Sequence, residues 1–497
     1  MKKLICFVLT AIIVFVLFEP VFSSHLNFDI KEKTLDNGMK ILVVERHNSP
    51  TVSIWLIYKV GSVNEVTGRT GISHFIEHLH FKGTKKIGTT NYPAEVALMK
   101  EQDKLDALIQ EEASKRNPDE KKISKLKEKI QELETEQSKY IISNEIDKIY
   151  TGAGAKESNA WTDWDYTTYF ENLPSNKFEL WCAVQSDIMQ NVVFREFYSE
   201  RDVVAEERRM YNEDDPLLAL DELMGNTAFT VHPYANDIVG AMSDIQRFSR
   251  QAVYDYYRKY YAPNRAVVAI AGDIKAEDAF SLISKYFSHI PRQPEPPPVI
   301  SVEPVQRGER RVELEYDASP VLEIAYHKTE LSHPDNPVFD IIAEVLIKGE
   351  TSRLYRRLVE DERTAVSITC YNRDSKYPGL FGFVVIPAMP HTVADNESII
   401  NEEIEKLINE KISEWELQRA KNRLIAHLLY KLRSNDSLSY TMGFYEALDC
   451  LDIFKNILQA WNAVTIEDIQ RVAKQYLRKS NRTVAYIVRP QSIKEEE

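Results

Sequence analysis

Cysteine is the first scarcity. Four occur in 497 residues, Cys6, Cys182, Cys370 and Cys450, widely spaced and without a CxxC pair. That excludes a disulfide framework and a thiolate metal site, and the last three read as small apolar residues. Glycine is scarce too, 16 residues, which excludes a collagen-like chain. Basic charge is not in excess: Lys plus Arg is 62 against 76 Asp plus Glu, a net charge of -14. Nucleic acid, which needs a basic face, is excluded as a partner. No apolar run reaches the roughly 20 residues of a bilayer span. The longest, Leu4 to Phe18, follows Lys2-Lys3 and precedes Val21-Phe22-Ser23. That order predicts a signal peptide at 1–23, cleaved near Ser23. The protein is then exported, periplasmic or extracellular, or anchored if the leader stays.

What is present is an ordinary globular composition, 43% hydrophobic and 28% charged. The Pro-rich stretch from Pro291 to Pro298 reads as an extended linker. Taken as 291–304, it separates a domain at 28–290 from one at 305–490. The two parts echo each other. Residues 252–270 and 469–488 both run from an aromatic, basic helix through Asn-Arg into a β-branched strand, with Asn264 and Asn481 heading the strands. Two copies of one unit are implied. Strand patterns at 40–44 and 51–58 followed by helical ones predict an α+β fold, each domain a mostly antiparallel sheet packed by helices. Residues 96–148 are highly charged. Leu105, Leu108 and Ile109, then Ile123, Leu126, Ile130 and Leu133, recur at helical spacing on either side of Asn117-Pro118. A helical hairpin is predicted, either a structural extension or a partner-docking arm.

The chemistry concentrates in Gly71-Ile-Ser-His74-Phe-Ile-Glu77-His78-Leu-His80. Positions i and i+4 share a helix face, so His74 and His78 present two imidazoles to one ion. Glu77 stands at the edge of that face. A hydrolytic zinc site needs three protein ligands, an open position and a carboxylate beside the water. The third ligand must come from elsewhere. Glu200 and Glu207 are two helical turns apart, so one can bind metal while the other supports a ligating His. Glu206 reads as solvated and His80 as a packing histidine. The H-x-x-E-H order marks an inverzincin.

The segment GISHFIEHLHFKGT resembles the active-site helix of the pitrilysin family of zinc metallopeptidases, which includes mitochondrial processing peptidases and insulin-degrading enzyme. That family has a Glu within an E-x6-E pattern further along; ERDVVAEE from Glu200 to Glu207 matches it. The interval from His78 to Glu207 is 129 residues, lengthened by the hairpin. The resemblance implies His74, His78 and Glu207 as ligands of one Zn2+, Glu77 as general base and Glu200 as the carboxylate behind a ligand. Ser158 to Tyr169 resembles the family's edge strand, to which a peptide substrate adds. Asn159, Ala160, Trp161 and Thr162 are then substrate-binding. Trp161, Asp163 and Asp165 alternate with Thr162, Trp164 and Tyr166 as in a two-faced strand. Glu350 to Leu358 resembles the Ser-Ser-Arg-Leu helix of the non-catalytic domain. That domain supplies an Arg and a Tyr in self-sufficient members; the matching positions here are Val359 and Val366. The expectation is a zinc endopeptidase acting on peptides or unfolded segments, the zinc-bearing subunit of a heterodimer whose partner, a homologous two-domain chain, carries the Arg/Tyr pair. The alternative is a catalytically silent structural, assembly or peptide-binding protein on the same fold.

Overall fold

A computed structural model describes residues 28–490, with side chains at all but Asn212 and Glu213. The expected leader at 1–23 lies outside the described residues. The first half contains strands β1 (Lys31–Thr34), β2 (Lys40–Glu45), β3 (Thr51–Tyr58), β4 (Glu157–Thr162), β5 (Thr167–Pro174) and β6 (Ala266–Gly272). Its main helices are α1 (Ile72–His80), α2 (Tyr92–Ala113), α3 (Glu120–Gln137), α4 (Glu145–Gly152), α5 (Phe178–Asn191), α6 (Phe197–Arg209), α7 (Pro216–Ala228), α8 (Arg250–Tyr260) and α9 (Ala276–Phe287). The second half contains β7 (Arg310–Glu315), β8 (Leu322–His327), β9 (Ala365–Asn372), β10 (Leu380–Pro387) and β11 (Arg482–Val488). Its main helices are α10 (Asn336–Leu346), α11 (Val393–Asn409), α12 (Glu414–Lys431), α13 (Asn435–Ala447), α14 (Leu451–Ala463) and α15 (Ile466–Tyr476). Among the described residues no helix is long and apolar enough to cross a membrane.

The expected repetition is present in the topology. The first sheet runs β1-β2-β6-β3-β5-β4 and the second β7-β11-β8-β10-β9. Without β1 the two orders correspond strand for strand. In each, one pair is parallel, β2 with β6 and β7 with β11, and the other pairs are antiparallel. Strand β3, Thr-Val-Ser-Ile-Trp-Leu-Ile-Tyr, is buried from Val52 onward because both faces of its sheet are covered.

The helices cover the sheets by exchange. One face of the first sheet packs its own helices around Phe75, Trp181 and Val253. The opposite face, with Leu42, Trp55 and Ala269, is covered by Leu438, Met442 and Tyr445 of α13, from the second half. The second sheet is covered on one face by its own helices and on the other by Leu220, Met224 and Ala228 of α7, from the first half. Gly443 lets α13 approach the sheet: a Cβ there would lie 2.8 Å from Ile57 Cδ1 and 2.9 Å from the Ala269 Cβ.

The hairpin forms as α2 and α3, with Asn117-Pro118 in the connecting loop. Asn91 caps α2 and Asp119 caps α3 through their side chains. Ile109, Ile123, Leu126 and Ile130 are buried as expected, but Leu108 is 45% exposed. The inner face of α2 is instead polar, with Glu95, Gln102 and Asp106 buried. The Pro-rich segment is extended. Glu303 fastens it by accepting the backbone N–H groups of Thr230, Val231 and His232.

Candidate metal centre

Helix α1 starts at Gly71, whose φ of 85° needs a residue without a Cβ. Buried Glu65 accepts the N–H groups of Gly71 and Ser73 at 2.7 and 2.8 Å, satisfying the first turn. The apolar face of α1, Phe75, Ile76 and Leu79, enters the first core. Its other face carries His74 and His78, with ring centroids 4.7 Å apart.

Helix α6 packs against α1 and brings the carboxylates. Glu207 Oε1 lies 3.7 Å from His74 Nε2, and its Oε2 lies 3.3 Å from His78 Nε2. One ligand atom from each of these three residues lies within 4.8 Å of the others. Glu200 Oε1 sits 2.9 Å from His78 Nδ1, and Lys82 Nζ reaches Glu200 Oε2 at 2.6 Å. His78 thus faces a carboxylate at each ring nitrogen, Glu200 at Nδ1 and Glu207 at Nε2; with Nδ1 held by Glu200, Nε2 is the nitrogen available to a metal. Glu77 Oε2 accepts a hydrogen bond from Thr162 Oγ1 at 2.7 Å. The structure thus brings together His74, Glu77, His78, Glu200 and Glu207. Two imidazoles and a carboxylate fit zinc, and other divalent ions as well.

The charge states follow from burial and neighbours. Burial pushes the Glu77 carboxyl up to about 7, against the hydroxyl of Thr162. Burial, with His78 beside it, lowers His74 to about 4. Burial opposes the charge on His78, but the Glu200 and Glu207 carboxylates outweigh it and raise that group to about 9. Both carboxylates lie below their ordinary range: burial works against this, and the cationic partners overcome it.

Strand β4 is the free edge of the first sheet, next to α1. Ala160 and Thr162 are buried. Trp161 turns to the other face, its ring 5.1 Å from Trp55 and 5.3 Å from Tyr440. Asn159 Oδ1 accepts the Ala160 N–H at 2.9 Å, which leaves that N–H on the outer edge. The expected alternation stops at Thr162. Asp163 N–H bonds to Tyr166 O, so 163–166 turns the chain into β5 instead of extending the strand. His80 is a packing residue, its ring stacked 3.7 Å from Tyr169. Val359 packs half-buried against the second core, and Val366 on β9 is 65% exposed.

The second half holds a counterpart built differently. Lys82-Gly83 after α1 matches Lys348-Gly349 after α10, both glycines at positive φ. This offset of 266 pairs His74 with Asp340, Glu77 with Ala343 and His78 with Glu344. Buried positions 201, 204, 205 and 208 of α6 match 417, 420, 421 and 424 of α12 at an offset of 216, which pairs Glu207 with Arg423. The hairpin between α1 and α6 accounts for the 50-residue change of offset. Arg423 Nε donates to Glu344 Oε2 at 2.9 Å. A guanidinium–carboxylate pair therefore stands where the first half gathers His78 and Glu207.

The sequence reading missed Lys82, Glu65 and Arg195. Arg195, 1% exposed, donates to the carbonyls of Lys82, Thr84 and Ile87 just beyond α1 and to Glu95. The Lys-Gly repeated after α10 was the available signal for Lys82.

Comparison with known families is decisive. Residues 40–113 and 116–242 match the family described as Insulinase (Peptidase family M16), and residues 247–424 match the Peptidase M16 inactive domain. The chain belongs to peptidase family M16. This is the pitrilysin family, a family of zinc metallopeptidases that also has an inactive domain type. The M16 chain is 25% identical over 463 residues to the zinc protease PqqE of Helicobacter pylori, covering 91% of each. It is 23% identical over 481 residues to a probable mitochondrial-processing peptidase subunit beta of Arabidopsis thaliana, covering 92% of this chain and 79% of that one. A crystal structure of a protease from Helicobacter pylori has a TM-score of 0.78 at 25% identity, covering 93% of this chain and all of the other. The periplasmic protease PqqL of Escherichia coli shares the fold, with a TM-score of 0.70 at 16% identity over 94% of this chain and 48% of that one.

Proposed function

We propose that this M16 chain is an exported zinc-dependent endopeptidase, with His74, His78 and Glu207 as the metal ligands and Glu77 as the general base. The observation that carries the reading is the convergence of two imidazole Nε2 atoms and one carboxylate beside a second, buried carboxylate. When bound, zinc supplies Lewis acidity, acidifying a water and polarising a carbonyl. The protein's own part is positional and protolytic. Glu200 orients His78, with Lys82 behind it. Burial raises the proton affinity of the Glu77 carboxylate, as a general base requires. Glu77 takes a proton from the attacking water and delivers it to the leaving amine. Thr162 fixes the carboxylate that does this. A peptide pairs with the outer edge of β4, where the Ala160 N–H exchanges Asn159 Oδ1 for a substrate carbonyl.

The test is cleavage of an unstructured peptide mixture, read by mass spectrometry, with Glu77→Gln beside the wild type. The variant is expected to lose turnover by about 10²–10⁴ and keep its zinc by elemental analysis. Wild-type rates in Glu77→Gln would refute the base.

Val359 and Val366 support a second chain. Neither side chain can hydrogen-bond a peptide carbonyl, so the reading includes a homologous partner that supplies an Arg and a Tyr. The zinc-loaded chain alone is then expected to be slow, and addition of such a partner to accelerate it. Full activity from a homodimer would remove the heterodimer. Zinc binding and peptide binding without cleavage, alone and with the partner, would select the catalytically silent alternative.

A further inference from the structure

A cleft of about 680 Å³ opens away from the metal centre, in the crook where α2 of the hairpin meets α8 and the end of α5. Its size suits a small organic ligand. Its walls are apolar and aromatic: Tyr92, Val96 and Met99 from α2, Tyr254 and Tyr257 from α8, Met189 from α5. Its unpaired charged groups are of one sign. Lys85, Lys100 and Arg258 line it, and none forms an ion pair among the described residues; Arg258 only leans over Tyr254. In a chain of net charge -14, three cations without an ion pair around one cleft give it a local positive charge. Asp103 is the carboxylate in the lining, and it is already engaged, 2.8 Å from Arg250 Nη1. Arg250 is the buried cation of the lining, and it anchors the wall. It is 3% exposed, held by Met99 O and Gln102 Oε1, and its Nε–H has no hydrogen-bond partner.

The geometry points to a binding site for an amphiphilic organic anion, a carboxylate or phosphate on an apolar or aromatic body, between the hairpin and α8. The apolar body lies against the Tyr and Met walls, and the anionic head meets Lys85, Lys100 and Arg258. The occupant bridges α2 to α8 and so fastens the hairpin to the body of the protein. This assignment is independent of the peptidase reading.

The probe is 8-anilinonaphthalene-1-sulfonate, titrated into the purified full-length chain and read by fluorescence. One saturable site is expected. Decanoate and decyl phosphate should displace the probe and decanol should not; which anion wins identifies the head group. The double variant Lys100→Glu/Arg258→Glu, both at exposed positions, should bind at least tenfold more weakly with an unchanged circular dichroism spectrum. Val96→Trp, which fills the cleft without altering charge, should also abolish binding. Binding by the double variant within twofold of wild type, or displacement by decanol as effective as by decanoate, would overturn the site.

Discussion

Glu200 touches no reacting group in the proposed chemistry, yet it decides which nitrogen of His78 is free. Its Oε1 holds the Nδ1 side at 2.9 Å and its Oε2 holds Lys82 at 2.6 Å. Glu200→Gln keeps the shape and removes the charge, leaving Lys82 against an amide and His78 without its anionic acceptor. Loss of such an outer partner typically costs 10–100-fold in metal affinity. Competition with a chromophoric chelator should show that range, while Glu206→Gln, an exposed neighbour, should match wild type. At this scale much was legible. The i, i+4 pair His74 and His78 and the seven-residue step from Glu200 to Glu207 are helix geometry written in the sequence. Thr162 was legible as a residue of the edge strand but not as the partner of Glu77, because that contact joins positions 85 apart. Lys82 was marked by the repeated Lys-Gly, but its partner was not legible: a lysine just after a helix has many possible partners, and the fold chooses Glu200.

Between residue and fold stands the hairpin. Its two arms meet through a buried polar chain: Gln102 donates to Gln137, Gln137 donates to Glu95, and Glu95 accepts from Arg195. The hairpin also holds α6, through Glu134 to the Ser199 N–H, Asp103 to Tyr198 and Asp106 to Arg201. It buttresses the helix bearing Glu200 and Glu207, which supports the structural reading of the insertion. Glu95 is fully buried and Arg195 is 1% exposed. Glu95→Ala leaves a buried guanidinium without its counter-charge, a change worth about 3–5 kcal/mol. Urea denaturation should show that loss, whereas Lys104→Ala on the outer face of α2, whose ion pair is exposed, should fall within about 0.5 kcal/mol. The sequence announced two helices and their loop through apolar spacing and Asn117-Pro118. It did not announce the polar inner face, because Glu95, Gln102 and Asp106 look like solvated residues until their partners are known. Leu108 was misplaced by the same logic, since periodicity marks an apolar stripe without saying which turn the partner helix covers. The exchange of α7 and α13 between sheets was hidden too: an amphipathic pattern identifies a buried face, not the sheet that buries it.

That exchange makes the seam between the halves part of each core, and the seam carries a pH dependence. His232 is buried there, its ring 4.3 Å from Tyr234 and 5.1 Å from Tyr377 of the second half. Its Nδ1 accepts the Tyr234 N–H, which requires the neutral ring. Burial lowers its pKa from 6.5 to about 4, against the pull of Glu303. His327, also at the seam, is shifted down for the same reason. The stability held in neutral His232 is present above pH 6.5. It is lost as pH falls from there to about 4, because the unfolded chain takes up a proton that the folded one refuses. The loss is about 1.4 kcal/mol for each pH unit within that window. Asp165, bonded to Tyr234 and to the Lys376 N–H, acts in the opposite sense. Burial raises it to about 6, so folding protonates it below that pH and gains stability as the medium acidifies. The measurement must therefore be a difference. His232→Asn keeps an acceptor for the Tyr234 N–H and cannot titrate. Urea midpoints from pH 7.5 to 4.5 should fall less steeply in this variant than in wild type, with the two curves diverging only below pH 6.5. Parallel curves across that range would mean that His232 takes up its proton without loosening the seam.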